Sequence, residues 1–298
     1  MESSQSSFLV RNDFLIRRLH SLSGLIPVGA FMCVHLIVNA SVLESPATFQ
    51  KNVFNIHSLG SLLPLVEWVF IFIPILFHAI IGVVIIKGGL PNTQNYPYTA
   101  NWRYTAQRAS GMIAFVFIML HVFHMHGWFH NQLWIEKIAD PLGGHQFRPY
   151  SAASTGGEAL QGFGWVALYV IGVLSSVFHL ANGIWTMGIT WGAWTSPKAQ
   201  MRASALCTVF GIGLAVVGMS GLFGLRAQGS GEAFEEAIAV EDQMYNAKIA
   251  SGEIKEKPHK RRGEPHGEEA NTESDAEVDA ALRRPVKATP VAPVSQSK

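Results

Sequence analysis

Four histidines, His35, His78, His121 and His179, each stand well inside a different apolar stretch of this chain. Burying a hydrogen-bonding group without a partner costs roughly 2–7 kcal/mol, depending on the reference state, and ionisable residues inside membrane spans by default mark function. One histidine per successive segment suggests two pairs, each gripping one ligand. Neutral imidazole is the usual protein ligand of haem iron. Two imidazoles on one iron fill both axial positions, so such a site carries electrons and does not activate dioxygen. The competing reading, interhelical hydrogen bonding, suits one intramembrane histidine better than four.

Positioning four imidazoles in an apolar medium requires helices. A transmembrane helix needs about 20 mostly apolar residues, and five stretches qualify, at about 22–43, 65–86, 106–128, 163–189 and 203–225. The chain is 49% hydrophobic and only 14% charged, well below the roughly 25% charged residues of soluble proteins. Charge is concentrated beyond Ala227, which holds 10 of the 22 Lys/Arg and 14 of the 21 Asp/Glu. The expected fold is therefore all-α: an integral membrane five-helix bundle over 1–226 that binds two b-type haems. Residues 227–298 form a polar tail, expected to be mostly disordered because it has too little apolar area to offset ordering entropy. Within it, EAFEEAIAVEDQMYNAKI is expected to form one short amphipathic helix. The basic cluster at 257–262 is outweighed by acid, so nucleic acid is not an expected partner.

Two cysteines, Cys33 and Cys207, are too few for a disulfide framework or for a cluster held by four thiolates. They read as small buried hydrophobes. The polar N-terminus lacks a signal-peptide pattern, so the first span is expected to stay in the mature protein. Pro27 and Pro74 lie within spans, where neighbouring helices can re-satisfy freed carbonyls. One set of boundaries carries Arg11, Arg17, Arg18, Lys87, Arg103, Arg108, Lys198 and Arg202; the other carries Lys51, Lys137 and Arg148, with Arg226 at the last helix end. The positive-inside rule then places the N-terminus in the cytoplasm and the C-terminus outside.

A rise of about 1.5 Å per residue puts His35 about 21 Å beyond Ser21 and His121 about 20 Å beyond Arg108, both in the outer half. His78 lies roughly 14 Å before Lys87, in the inner half. The second and fourth spans share His-x-x-x-Gly, at His78/Gly82 and His179/Gly183. The first and third share Ser-Gly followed by an apolar run to histidine, at Ser23-Gly24 and Ser110-Gly111. The pairing implied is His35 with His121 and His78 with His179. A glycine four residues from a ligand sits on nearly the same helix face and admits a flat macrocycle. His124 competes with His121, but its offset from Gly111 matches the first span less well. His126 and His130 read as interfacial, and His57 and His145 as residues of outer connections.

The stretches FLIRRLHSLSGLIPVGAFMCVHLIVNA, EWVFIFIPILFHAIIGV, NWRYTAQRASGMIAFVFIMLHVFH and GVLSSVFHLANGIWTMGITWG carry a resemblance. The chain resembles the two-haem cytochrome b membrane subunit of succinate dehydrogenases and fumarate reductases, of the single-subunit, five-helix kind. The tail beyond about Ala227 departs from it. The resemblance implies that the four histidines are axial ligands, paired first with third and second with fourth. It implies a bacterial inner membrane, with a flavoprotein (FAD) subunit and an iron–sulfur subunit on the cytoplasmic side. It also implies a quinone, menaquinone by preference, as electron acceptor in the lipid. The chain itself offers no Gly-x-Gly-x-x-Gly after a strand and no cluster thiolates, so dicarboxylate chemistry belongs to other subunits. The same wiring run backwards would serve quinol:fumarate reduction, and another membrane dehydrogenase could use a similar cytochrome.

Haem propionates need cationic or hydrogen-bonding partners, for which the inner boundary offers Arg17, Arg18, His20, Ser23, Trp102, Gln107 and Arg108. Glu67 stands at the outer end of the second span, where a carboxylate can pass protons to or from a quinone. Ordinary membrane anchoring is the competing role for the arginines, and a solvated boundary position for Glu67.

Overall fold

The computed structural model describes residues 11–89, 92–129 and 131–263. The reading of His130 and the character of residues 264–298 lie outside them. In chain order the main helices are α1 (Asp13–Leu43), α2 (Pro46–His57), α3 (Gly60–Lys87), α4 (Thr99–His126), α5 (Ala152–Ala159), α6 (Phe163–Thr190), α7 (Pro197–Ala227) and α8 (Gly231–Ala250). Helices α1, α3, α4, α6 and α7 are long and apolar enough to cross a membrane, and no strand is formed among the described residues. The protein is an all-α bundle.

Most spans extend past their apolar stretches because a helix continues until a cap or a backbone break stops it. The Ser196 hydroxyl accepts from the Ala199 N–H (3.2 Å) with Pro197 in the first turn, so α7 starts well before its apolar run. Helix α4 ends at His126 because Gly127 takes a left-handed conformation (φ 81°) and returns its N–H to Val122 and Phe123. Pro27 lies within a stretch of π-helix, Gly24–Gly29, and Pro74 follows another, Trp68–Phe72, by two residues. A proline lacks the N–H and crowds the carbonyl four residues back. One wider turn absorbs that conflict, and such turns recur at functional sites.

Helix α6 packs against both α4 and α7, α7 also packs on α1, and α3 rests mainly on the first half of α1. The shared core includes Leu36, Phe117, Tyr169, Val173, Val177, Leu180, Leu214 and Leu222. Helix α3 contributes no buried residue.

One end of the bundle carries a cap that only partly matches the expected polar tail. Helix α8 spans the amphipathic segment, but the folded chain continues through Arg262 and packs on α2 and α5, two helices absent from the expectation. The physical reason combines apolar packing, with Ala237 of α8 fully buried in the core that holds Phe49, Ala152 and Ala153, with buried polar pairing. The buried Glu241 carboxylate accepts from the Ala153 and Ser154 N–H groups (2.6 and 3.0 Å) and from the Ser154 hydroxyl. Negative charge at a helix N-terminus is favourable, and here it answers donors that α5 itself cannot satisfy. Burial still pushes the Glu241 carboxyl above the usual carboxylate range, with the Ser154 and Ala153 donors and Arg262 pulling it back. Gln50, also buried, joins the Pro149 carbonyl (2.8 Å) to the Ala152 N–H (2.9 Å). The following segment is tied down by Tyr150 N–H to the Lys260 carbonyl (2.9 Å) and by Arg262 to Glu158 (2.8 Å).

Glu241→Ala leaves those donors unanswered, at about 1–3 kcal/mol for each buried group. Hydrogen exchange and protease cleavage across 231–262 are expected to accelerate sharply while exchange in the five long helices stays unchanged.

Candidate functional site

Inside the bundle the four histidines stand as two pairs at different levels. His78 of α3 faces His179 of α6 near the end away from the cap, with ring centres 6.0 Å apart and planes 85° apart. His35 of α1 faces His121 of α4 nearer the cap, at 5.8 Å and 70°. Two imidazoles sharing one metal through bonds of about 2 Å each would have ring centres roughly 6 Å apart. Among the described residues no group of three or more His, Cys, Asp or Glu could hold a bare ion. Pairs suit a metal whose other positions a macrocycle fills.

Hydrogen bonding decides which nitrogen each ring presents. The His78 Nδ1 lies 2.8 Å from the His20 carbonyl, and the His179 Nδ1 lies 3.0 Å from the Gln107 carbonyl. A carbonyl only accepts, so both Nδ1 atoms carry the proton and both Nε2 lone pairs remain for a metal. At the other level the His121 Nδ1 meets the Tyr169 hydroxyl at 3.1 Å. The Asn39 amide donates to the His35 Nε2 (3.1 Å), so a metal bond through that nitrogen requires Asn39 to turn aside. His124 is fully buried, stacks on Trp165 with rings 3.7 Å apart, and shares the Tyr169 hydroxyl at 3.0 Å.

The glycines of the spans fall into two groups. Gly82 and Gly183 face His20 and Gln107. Gly24 and Gly111, of the Ser-Gly pairs, are the ones that abut the His78/His179 level. A Cβ there would lie 2.2 Å from the His78 Cε1 and 2.7 Å from the His179 Cε1, respectively. Helices α1 and α3, and α4 and α6, reach their packing distance at these points only because no side chain intervenes.

The boundary residues separate into distinct groups. His20 stacks on His78 (4.0 Å) and Gln107 donates to the His179 carbonyl (3.1 Å), so both line the His78/His179 pair. Ser23 donates to the His20 carbonyl that also serves His78. Arg18 lies over Phe14 and Trp191. Arg17 pairs with Asp13 on an exposed face, and Trp102 is exposed. Arg108 donates to the Ile85 and Ile86 carbonyls in the last turn of α3 and to the Gly89 carbonyl just beyond it, and so caps that helix. Sequence reasoning missed a chain behind His179: Arg103 donates to Asn182 (2.7 and 3.0 Å) and Ser204 (2.9 Å), and Asn182 donates to Gln107 (2.8 Å). An amide inside an apolar span, three residues after a histidine, was the signal available.

Glu67 is half-buried at the cap end of α3, immediately before the π turn. It does not stand alone, because Lys260 of the cap lies close enough to interact with it. Burial pushes the Lys260 ammonium below its ordinary value, and Glu67 opposes that shift. The Lys260 Nζ also sits 5.8 Å from the centre of the Tyr150 ring.

No protein-family model matches the chain. It is 33% identical over 211 residues to the succinate dehydrogenase cytochrome b558 subunit of Bacillus subtilis (strain 168), a match covering 71% of this chain and 96% of the relative.

Gly111→Val is expected to force His179 off its partner and to lower the haem bound per chain. Gly213→Val, whose Cβ would meet nothing within 4 Å, should leave it unchanged. A pyridine haemochrome assay on purified protein reads both.

Proposed function

The chain belongs to the cytochrome b subunits of succinate dehydrogenase, and on that premise we propose that it carries two haems b, bound by His35 with His121 and by His78 with His179. In this reading it anchors a flavoprotein (FAD) subunit and an iron–sulfur subunit at the cytoplasmic face and delivers their electrons to menaquinone in the membrane. The observation that carries it is the pair of facing imidazoles at each of two levels, drawn from alternate long helices. Bound between two imidazoles, the haem iron supplies one-electron transfer with no open position for substrate.

The residues do the rest. His20 and Gln107 orient the ring nitrogens of the pair nearer the N-terminal end of α1, the level proposed to face the cytoplasmic subunits. Arg18, His20, Ser23 and Gln107 lie at that boundary and can serve the propionates; Arg17, Trp102 and Arg108 are the outlying members of the set. With the cap outside, two electrons crossing the full span would gain roughly 4.6 kcal/mol per 100 mV of membrane potential, twice the single-charge value. Glu67, half-buried beside Lys260, is placed to exchange protons with a quinone bound near the cap.

Purified protein is expected to hold two haems per chain, falling to one in His78→Ala and in His121→Ala. A parent ratio of one or zero rejects the reading. Glu67→Gln should abolish succinate-driven quinone reduction in membranes while both haems stay bound, and unchanged turnover would remove Glu67 from the mechanism.

A further inference from the structure

Two histidines of α4 compete for one role, and a single hydroxyl touches both. The Tyr169 oxygen lies 3.1 Å from the His121 Nδ1 and 3.0 Å from the His124 Nδ1. Tyr169 is buried, with 5% of its surface exposed, and its ring packs edge-on against Phe117, so the hydroxyl is held in place. A phenol has one proton to donate. At most one of the two imidazoles can therefore accept from it, and at least one must donate its own Nδ1–H to the oxygen. The rings around them differ. His121 faces His35 at 5.8 Å, whereas His124 lies flat on Trp165, 3.7 Å away and 6° from parallel.

Resting on the haem-ligand reading above, we infer that Tyr169 is the positioning residue that makes His121, and not His124, the α4 ligand. The His121 Nδ1–H donates to the Tyr169 oxygen, which leaves the His121 Nε2 lone pair directed at the metal. The Tyr169 O–H donates to the His124 Nδ1, which places the His124 proton on Nε2 and occupies its one lone pair. One hydroxyl thereby sets both tautomers and disqualifies the nearer competitor. At the other level the His20 and Gln107 carbonyls do the equivalent work. A carbonyl can only accept, so it could not also hold His124 in the non-ligating form. Accepting from the ligand's free N–H also raises the basicity of the ligating nitrogen, which favours ferric iron.

The test is a reductive titration of membranes containing the whole complex, followed by visible absorption and by low-temperature EPR. Tyr169→Phe removes the hydroxyl and keeps the ring. The expected result is an upward shift in the midpoint potential of one haem with a changed low-spin ferric signal, or loss of that haem alone, while the other haem is unaltered. Unchanged potentials and signals for both haems overturn the inference. His124→Leu is expected to retain two haems per chain; loss of one overturns the inference, and this arm decides the matter where Tyr169→Phe does not accumulate. His121→Ala separates the two levels of the proposal. If it keeps both haems, the ligand reading falls and takes Tyr169 with it. If it loses one haem while Tyr169→Phe changes nothing, only the role of Tyr169 falls.

Discussion

A neutral imidazole has two nitrogens and one proton, and in an apolar bundle both nitrogens must be answered. The structure answers Nδ1 of His78 and His179 with backbone carbonyls and Nδ1 of His121 with a phenol. Each choice leaves the opposite nitrogen with a free lone pair, the form in which an imidazole can hold a metal. Much of the surrounding packing serves this requirement. Gly24 and Gly111 bring helix backbones against the rings they face. Gln107 uses its backbone carbonyl for the His179 ring and its side chain for the His179 carbonyl. Arg103 and Asn182 then hold Gln107. A membrane interior supplies no water to repair a misplaced donor, so the orientation is carried from one side chain to the next.

The two levels solve this problem with different chemistry. Near the open end, helical backbone does the orienting, and the ring of His20 covers His78 with its centre 4.0 Å away. Nearer the cap, side chains meet the rings: Tyr169 meets His121, Asn39 meets His35, and His124, stacked on Trp165, shares the Tyr169 hydroxyl. Side-chain partners can be exchanged singly in evolution, while a backbone carbonyl is replaced only by moving a helix. The cap-end site is therefore the more adjustable of the two. It is also the level to which the proposed function assigns quinone reduction, where potential and proton supply must suit the acceptor.

The cap shows how a charge-rich segment folds when its buried polar groups are paired. Buried Glu241 satisfies the start of α5, Gln50 ties that region to α2, and the chain then returns to place Lys260 beside Glu67. Apolar packing accompanies these pairs: Phe54, Tyr150 and Tyr245 cluster with Met244, Ile249 and Ile254, and Ala237 lies in the core with Phe49, Ala152 and Ala153.

The sequence alone determined the five spans, the all-α class and the four histidines as one set. Each of these follows from local properties: run length, helical periodicity and the cost of a polar ring in hydrocarbon. It also supported the pairing by depth, because helical rise converts residue number into height. Heights cannot say which side chains meet at a given level, since that depends on the rotation of each helix about its axis. The tertiary structure therefore decided that Gly24 and Gly111 abut His78 and His179, that Arg108 caps α3, and that Arg103 works through Asn182 and Gln107. It likewise decided that residues 231–262 fold, because Glu241 and its donors in α5 lie 87 and 88 positions apart in the chain. No local pattern records that meeting. His121 and His124 show the limit most plainly: three residues apart on one helix, they meet different rings, His35 and Trp165, and share one hydroxyl contributed by another helix.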